Sequence, residues 1–164
     1  MSKGFTLLEV VIVLALIAIG AALTIPMFRI FDRLMVKTEV DVLYLAIKSL
    51  EQKAITSGKA YELVFNEKDN SYTVESIVYH LHSPAIFGIV EKVTGPPSNP
   101  QKIITKSINF PDNKITIFSD GVIQAGSVYI TDKNKKYLYA LTCPVADISY
   151  LRRYVYNGRW TLLS

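Results

Sequence analysis

One carboxylate stands inside the most apolar part of this chain. From Phe5 to Phe28, about 24 residues, Glu9 is the only charged side chain, and it lies near the start of the run. A charge within a membrane helix costs about 2.5–3.5 kcal/mol on insertion scales, so a chain that carries one there needs a partner for it. The nearest cation on offer is a new N-terminus, created if the chain is cut just before Phe5. In one helix Glu9 lies about one turn from that ammonium. Between two chains it can face the ammonium of a neighbour. The intermolecular pairing also sets axial register, because a slipped neighbour leaves both charges unpaired in an apolar medium.

Other residues are candidates for different chemistry. His80 and His82 sit two apart at a strand end and can face one side, as metal ligands do, but no Cys, Asp or Glu within a few residues completes a set. Cys143 closes an apolar strand just before Pro144 and has no histidine paired with it by motif, which reads as a buried thiol. A single cysteine excludes an intramolecular disulfide and leaves the redox compartment open. Asp69, Asn70, Asp112 and Asn113 are turn residues with oxygen ligands that suit calcium, without a full ligand series. No glycine-rich phosphate loop or hydrolase elbow is present. The reading is a non-enzyme with no cofactor and no metal. The net charge of +4 is weak, and basic residues are scattered among acidic ones. That describes a solvated mixed-charge surface, so no nucleic-acid partner is expected.

These residues depend on the elements that hold them. As a helix, Phe5–Phe28 spans about 36 Å, more than the roughly 30 Å hydrocarbon core of a bilayer. A buried helix of a soluble domain is usually shorter and less uniformly apolar. A secretory signal peptide has an apolar region of about 7–15 residues and a small-residue cleavage site; here Pro26, Met27 and Phe28 close the run, behind a charged leader of only Met1-Ser2-Lys3-Gly4. A plain single-pass anchor explains the length and leaves Glu9 unexplained. Lys3 on one side against Arg29 and Arg33 on the other does not supply the orientation. Gly20 and Pro26 interrupt the run, and a proline removes a helical hydrogen bond and kinks the helix.

The segment Lys3-Gly4-Phe5-Thr6-Leu7-Leu8-Glu9, opening an apolar helix, resembles the class III signal of type IV pilins and of the pseudopilins of type II secretion. The resemblance implies that a prepilin peptidase of the inner membrane cuts between Gly4 and Phe5 and N-methylates Phe5. It implies that Glu9 sets register during filament assembly, and that Gly20 to Pro26 marks a bend able to lose helicity locally in assembled filaments. It implies an inner-membrane, single-pass subunit with a periplasmic C-terminal domain. Its partners would be the peptidase, other pilins or pseudopilins, an inner-membrane assembly platform and membrane lipid. Type II secretion systems also have a tip pseudopilin type without this glutamate, and Glu9 argues against that type.

Beyond Phe28 the helical period continues. Val36, Val40, Leu43, Ile47, Leu50 and Ala54 form one stripe, with Lys37, Glu39, Asp41, Lys48, Glu51 and Lys53 around it. Ser57-Gly58 supplies the stop. From Ala60 the texture becomes short β-branched and aromatic runs. The spacing predicts strands at 61–66, 72–79, 103–110, 114–118, 127–131, 137–143, 148–156 and 160–163, with Asn157-Gly158 as a type I′ hairpin turn. Gly95–Pro100, with three prolines, reads as a stiff exposed connector between two sub-sheets. The expected fold is α+β: a long N-terminal helix, transmembrane in its first half and amphipathic in its second, packed on a mostly antiparallel C-terminal β-domain. Its expected divisions are a leader at 1–4, an assembly helix at 5–28, an amphipathic half at 29–58 and a β-domain at 59–164.

A second set of residues resembles the C-terminal region of H-type minor pseudopilins and related minor pilins. It comprises Ile117-Phe118-Ser119-Asp120-Gly121, Gly126-Ser127-Val128-Tyr129-Ile130 and Tyr137-Leu138-Tyr139-Ala140-Leu141. The Arg152-Arg153 pair and the Asn157-Gly158-Arg159-Trp160 hairpin depart from that pattern. Many major type IV pilins staple a C-terminal loop with two cysteines, which one cysteine cannot do, so a pseudopilin or minor pilin is favoured. The competing reading is a membrane-anchored binding protein that never assembles, with Arg152, Arg153, Arg159 and Trp160 as its patch.

Overall fold

The structure, a computed structural model, describes residues 6–96, 100–144 and 150–163, with helix side chains at 7–20 and 31–57. Gly4 and Phe5 lie outside the described residues. A single helix, α1 (Leu7–Ser57), carries 51 residues, about 76 Å at 1.5 Å per residue. It ends where Gly58 turns left-handed at φ 65°, its N–H donating to the Ala54 carbonyl at 2.9 Å. Glycine tolerates that conformation because it has no Cβ.

All six residues of the apolar stripe are buried, none more than 3% exposed. They pack against two antiparallel sheets. The first is ordered β3-β2-β1-β5, from β1 (Tyr61–Asn66), β2 (Ser71–Val74), β3 (Ile77–His80) and β5 (Lys114–Ile117). The second is ordered β4-β6-β7-β8-β9, from β4 (Ala85–Phe87), β6 (Gly126–Asp132), β7 (Leu138–Cys143), β8 (Arg152–Tyr156) and β9 (Trp160–Leu163). The arrangement is α+β and pilin-like.

The period of two along each strand decides which sheet face meets the helix. In β7, Tyr139, Leu141 and Cys143 point into the core shared with α1, together with Leu63, Ile115, Ile117, Val128 and Ile130. Leu138 and Ala140 point the other way, into a second cluster with Val93, Ile104, Tyr129 and Tyr154. The long segment between β4 and β5 therefore roofs the outer face of the second sheet, and every residue of β7 is buried.

Four expectations are corrected. The run 72–79 is not one strand: it folds at Glu75 (φ 45°) and Ser76 (φ 75°), with Val74 paired to Ile77. The Glu75 carboxylate meets Lys53 Nζ at 2.6 Å with both oxygens, which ties the turn to the helix. The run 103–110 is not a continuous strand, because it meets its neighbours only at isolated bridges, Thr94 to Ile103 and Ile108 to Val128. The edge of β6 is divided: Ser107 and Asn109 bond its start, while β4, absent from the sequence reading, pairs with its end. The Asn157-Gly158 turn is not type I′. Tyr156 pairs with Trp160, leaving a three-residue connection in which only Gly158 has positive φ, 77°.

Of the proline-rich connector, Pro100 is exposed and the first two residues are not. Gly95 and Pro96 are buried, and the chain doubles back through Gly95 N–H to Lys102 carbonyl at 2.8 Å and Ile104 N–H to Val93 carbonyl at 3.0 Å. Pro97, Ser98, Asn99 and Ile148 lie outside the described residues.

Candidate functional site

The N-terminal turn of α1 is closed by two side chains. Thr6 is extended (φ −78°, ψ 151°) and forms the N-cap. Its Oγ1 accepts from Glu9 N–H at 3.3 Å, and its own N–H donates to Glu9 Oε2 at 3.5 Å. This reciprocal capping box satisfies two of the donors that a helix start leaves open. In an apolar medium such donors have no water to turn to, so the closure matters more there than in solvent. The carboxylate also sits at the positive end of the helix dipole. Glu9 thus has a partner before any second chain arrives. A carboxylate accepts several hydrogen bonds, so holding Thr6 leaves capacity for an ammonium. Thr6-x-x-Glu9 has the spacing of a capping motif, a local signal that lies beneath the more conspicuous isolated charge.

Around this turn the helix surface is bare in the single chain: Leu7 is 84% exposed, Leu8 69%, and Leu16, Ile17 and Ile19 each about 60%. Residues 1–25 match the prokaryotic N-terminal methylation motif. The chain carries a type IV pilin-like prepilin signal. That signal implies processing by a prepilin peptidase and a precursor anchored to a membrane at its N-terminus. No curated protein and no solved structure matches the chain. Among the described residues no helix is long and apolar enough to cross a membrane. The described side chains of the apolar run stop at Gly20, short of the roughly 20 residues that a span requires. The backbone of α1 stays helical through Gly20 and Pro26, and a Cβ at Gly20 would meet nothing.

Four of the remaining candidates, His82, Cys143, Asp69 and Asn70, have structural partners. His82 Nδ1 lies 2.8 Å from Glu39 Oε1; the histidine is exposed and the carboxylate buried against the sheets. His80 is exposed on β3. No group of three or more His, Cys, Asp or Glu side chains gathers among the described residues. Cys143 is buried, its Sγ 3.5 Å from the Ile123 carbonyl. Asp69 accepts from Asn66 Nδ2 at 2.6 Å, and Asn70 Oδ1 accepts from Phe87 N–H at 2.9 Å, so these turn oxygens brace the chain.

The four residues of the competing patch do not act together. Arg153 reaches Asp41 on α1 at 2.6 Å and stacks over the Tyr44 ring at 4.4 Å. Trp160 Nε1–H donates to the Thr94 carbonyl at 2.8 Å, holding the roof segment on the sheet. Arg152 and Arg159 remain exposed, on opposite ends of the strand β8. Asp132 is a buried anchor: its carboxylate accepts from the N–H groups of Asn134, Lys136 and Tyr137 at 2.7–3.0 Å.

Two glycines of the H-type resemblance have steric reasons. Gly121 turns at φ 85° in the Asp-Gly loop, where an added Cβ would lie 2.7 Å from Ile55 Cδ1 of α1. At Gly126 an added Cβ would lie 2.2 Å from the Phe110 ring.

Proposed function

We propose that this chain is a structural subunit of a type IV pilus-like filament, most similar to a minor pseudopilin of type II secretion or a related minor pilin. One observation carries the reading: a prepilin signal runs directly into a helix whose second half buries one stripe under its own sheets, while residues 7–20 of its first half are apolar and exposed. Residues 1–4 are the leader, 5–28 the membrane and assembly helix, 29–58 the amphipathic half and 59–164 a periplasmic β-domain. Prepilin peptidase removes the leader after Gly4 and methylates Phe5. The new ammonium then stands beside the Thr6–Glu9 cap, and Glu9 engages the ammonium of an adjoining subunit, which sets register. The inner-membrane platform and other pilins or pseudopilins complete the assembly, with the bend at Gly20–Pro26 accommodated in the filament.

Mass spectrometry of protein from its native host tests the processing step. The expected product lacks Met1–Gly4 and carries a methylated Phe5. A mature protein that keeps its leader overturns the proposal.

A further inference from the structure

The second sheet has one end lined with cations. The β6–β7 connection carries Lys133, Lys135 and Lys136, all exposed, and the β8–β9 connection carries exposed Arg159. Leu138 pairs with Tyr156, and Tyr156 with Trp160, so both connections lie at the same end. That end faces the N-terminal direction of α1. Along β8, Arg153 meets Asp41, and two residues on Val155 shares a cleft with Arg33 and Lys37, one to two helical turns nearer the apolar run.

Two acidic side chains near this end are already engaged. Asp132 is bound by backbone N–H groups and Asp41 by Lys37 and Arg153, while Asp32 on α1 is half-buried and Glu91 of the roof segment is exposed. The cleft itself, about 270 Å³, has apolar walls from Leu34, Tyr139, Val155 and Leu163, with Arg33 and Lys37 beside them. Cations next to an apolar wall match an amphiphile. Arg33 stands about 7.5 Å along the helix axis beyond Phe28, at the depth of a headgroup layer roughly 5–8 Å thick.

We propose that this end of the β-domain is a docking surface for the anionic phospholipid headgroups of the membrane that holds the same chain. The inference rests on the reading of Phe5–Phe28 as a membrane anchor. It accounts for basic residues that lie on the side opposite to that favoured by topology rules. A Lys or Arg held near an anionic membrane surface contributes about fivefold in partitioning. Docked, the domain lies against the bilayer; release for filament entry requires these contacts to break.

Trp160 is the single tryptophan and adjoins Arg159, so it reports on this surface without a label. Full-length protein reconstituted in vesicles is compared in zwitterionic lipid and in lipid with about one-third phosphatidylglycerol, each containing a headgroup nitroxide quencher. Stronger Trp160 quenching in the anionic vesicles is expected, abolished by high salt and by the combined variant Lys133→Gln, Lys135→Gln, Lys136→Gln and Arg159→Gln. Arg152→Gln, at the far end of β8, should leave it unchanged. Circular dichroism confirms that the variants stay folded. Equal quenching in both lipids, or quenching indifferent to the four substitutions, overturns the docking surface while leaving the anchor intact. Failure to float with zwitterionic vesicles overturns anchor and docking together. Displacement of the domain from anionic vesicles by short DNA at equal charge concentration, with wild-type selectivity over the variant, reassigns the surface to nucleic acid and overturns the proposal.

Discussion

Glu9 joins two roles that different substitutions separate. Glutamine preserves the capping box, because its amide oxygen still accepts from Thr6 N–H, but it removes the charge. Valine removes the charge and the acceptor for Thr6 N–H, leaving the bond from the residue 9 N–H to Thr6 Oγ1. Glu9→Gln should keep the Thr6 amide protected in hydrogen exchange and lose filament incorporation. Glu9→Val should lose both that protection and incorporation, and insert into membranes more readily. Crosslinking and shear-release of filaments read the incorporation; entry of either variant at wild-type level removes the register role. A second residue-scale prediction concerns Ser76, whose φ of 75° suits glycine. Left-handed backbone costs most residues about 1–2 kcal/mol, part of it returned as glycine's greater unfolded entropy. Ser76→Gly should therefore raise the melting temperature by roughly 2–4 °C, about 1 kcal/mol for a chain of this size. No change or a decrease would show that the turn is not strained.

At the scale of elements, the amphipathic stripe governs whether helix and sheets stay together. Ile47 is fully buried at its centre. Ile47→Ala should cost about 2–5 kcal/mol through lost burial and the cavity left behind, measurable by urea denaturation. The sheet facing that stripe also holds Tyr72, only 2% exposed. Burial, with the nearby Glu39 and Tyr79, pushes its hydroxyl up from 10.0 to about 12. Burial raises Tyr129 as well. In the unfolded chain these phenols ionise near pH 10, before their folded counterparts. Their contribution is complete below that pH and is lost as pH rises from 10 towards 12. Tyrosinate absorbance should show at least one hydroxyl titrating with the alkaline unfolding step. Full ionisation near pH 10 with the fold intact would refute this.

At the scale of the whole molecule, long-range ties join what the packing stripe leaves loose. Arg153 crosses from β8 to Asp41 on the helix, and Trp160 fastens the roof segment through Thr94. Arg153→Ala should lower stability by about 1–3 kcal/mol, since a partly buried charged hydrogen bond and a stacked ring are both lost. A variant as stable as wild type in thermal unfolding would show that the helix–sheet contact needs only its apolar stripe. The same positions show how far the sequence could be read. The stripe from Val36 to Ala54 and its stop at Gly58 were legible because helical periodicity and a glycine cap are local signals. Glu75-Ser76 was not, because neither residue type announces positive φ. The tie that Arg153 makes was not legible either, because its partner Asp41 lies far away in sequence, on the helix.

By itself the sequence determined the helix, the capping residues, the prepilin signal and most strand positions, since each follows from residue type and spacing over a few turns. Tertiary structure alone decided how β4 and residues 107–109 divide the edge of β6, which face of the second sheet the roof segment covers, and that scattered cations collect at one end. Those outcomes depend on which distant segments meet, and pairing of that kind leaves no local trace for a linear pattern to carry.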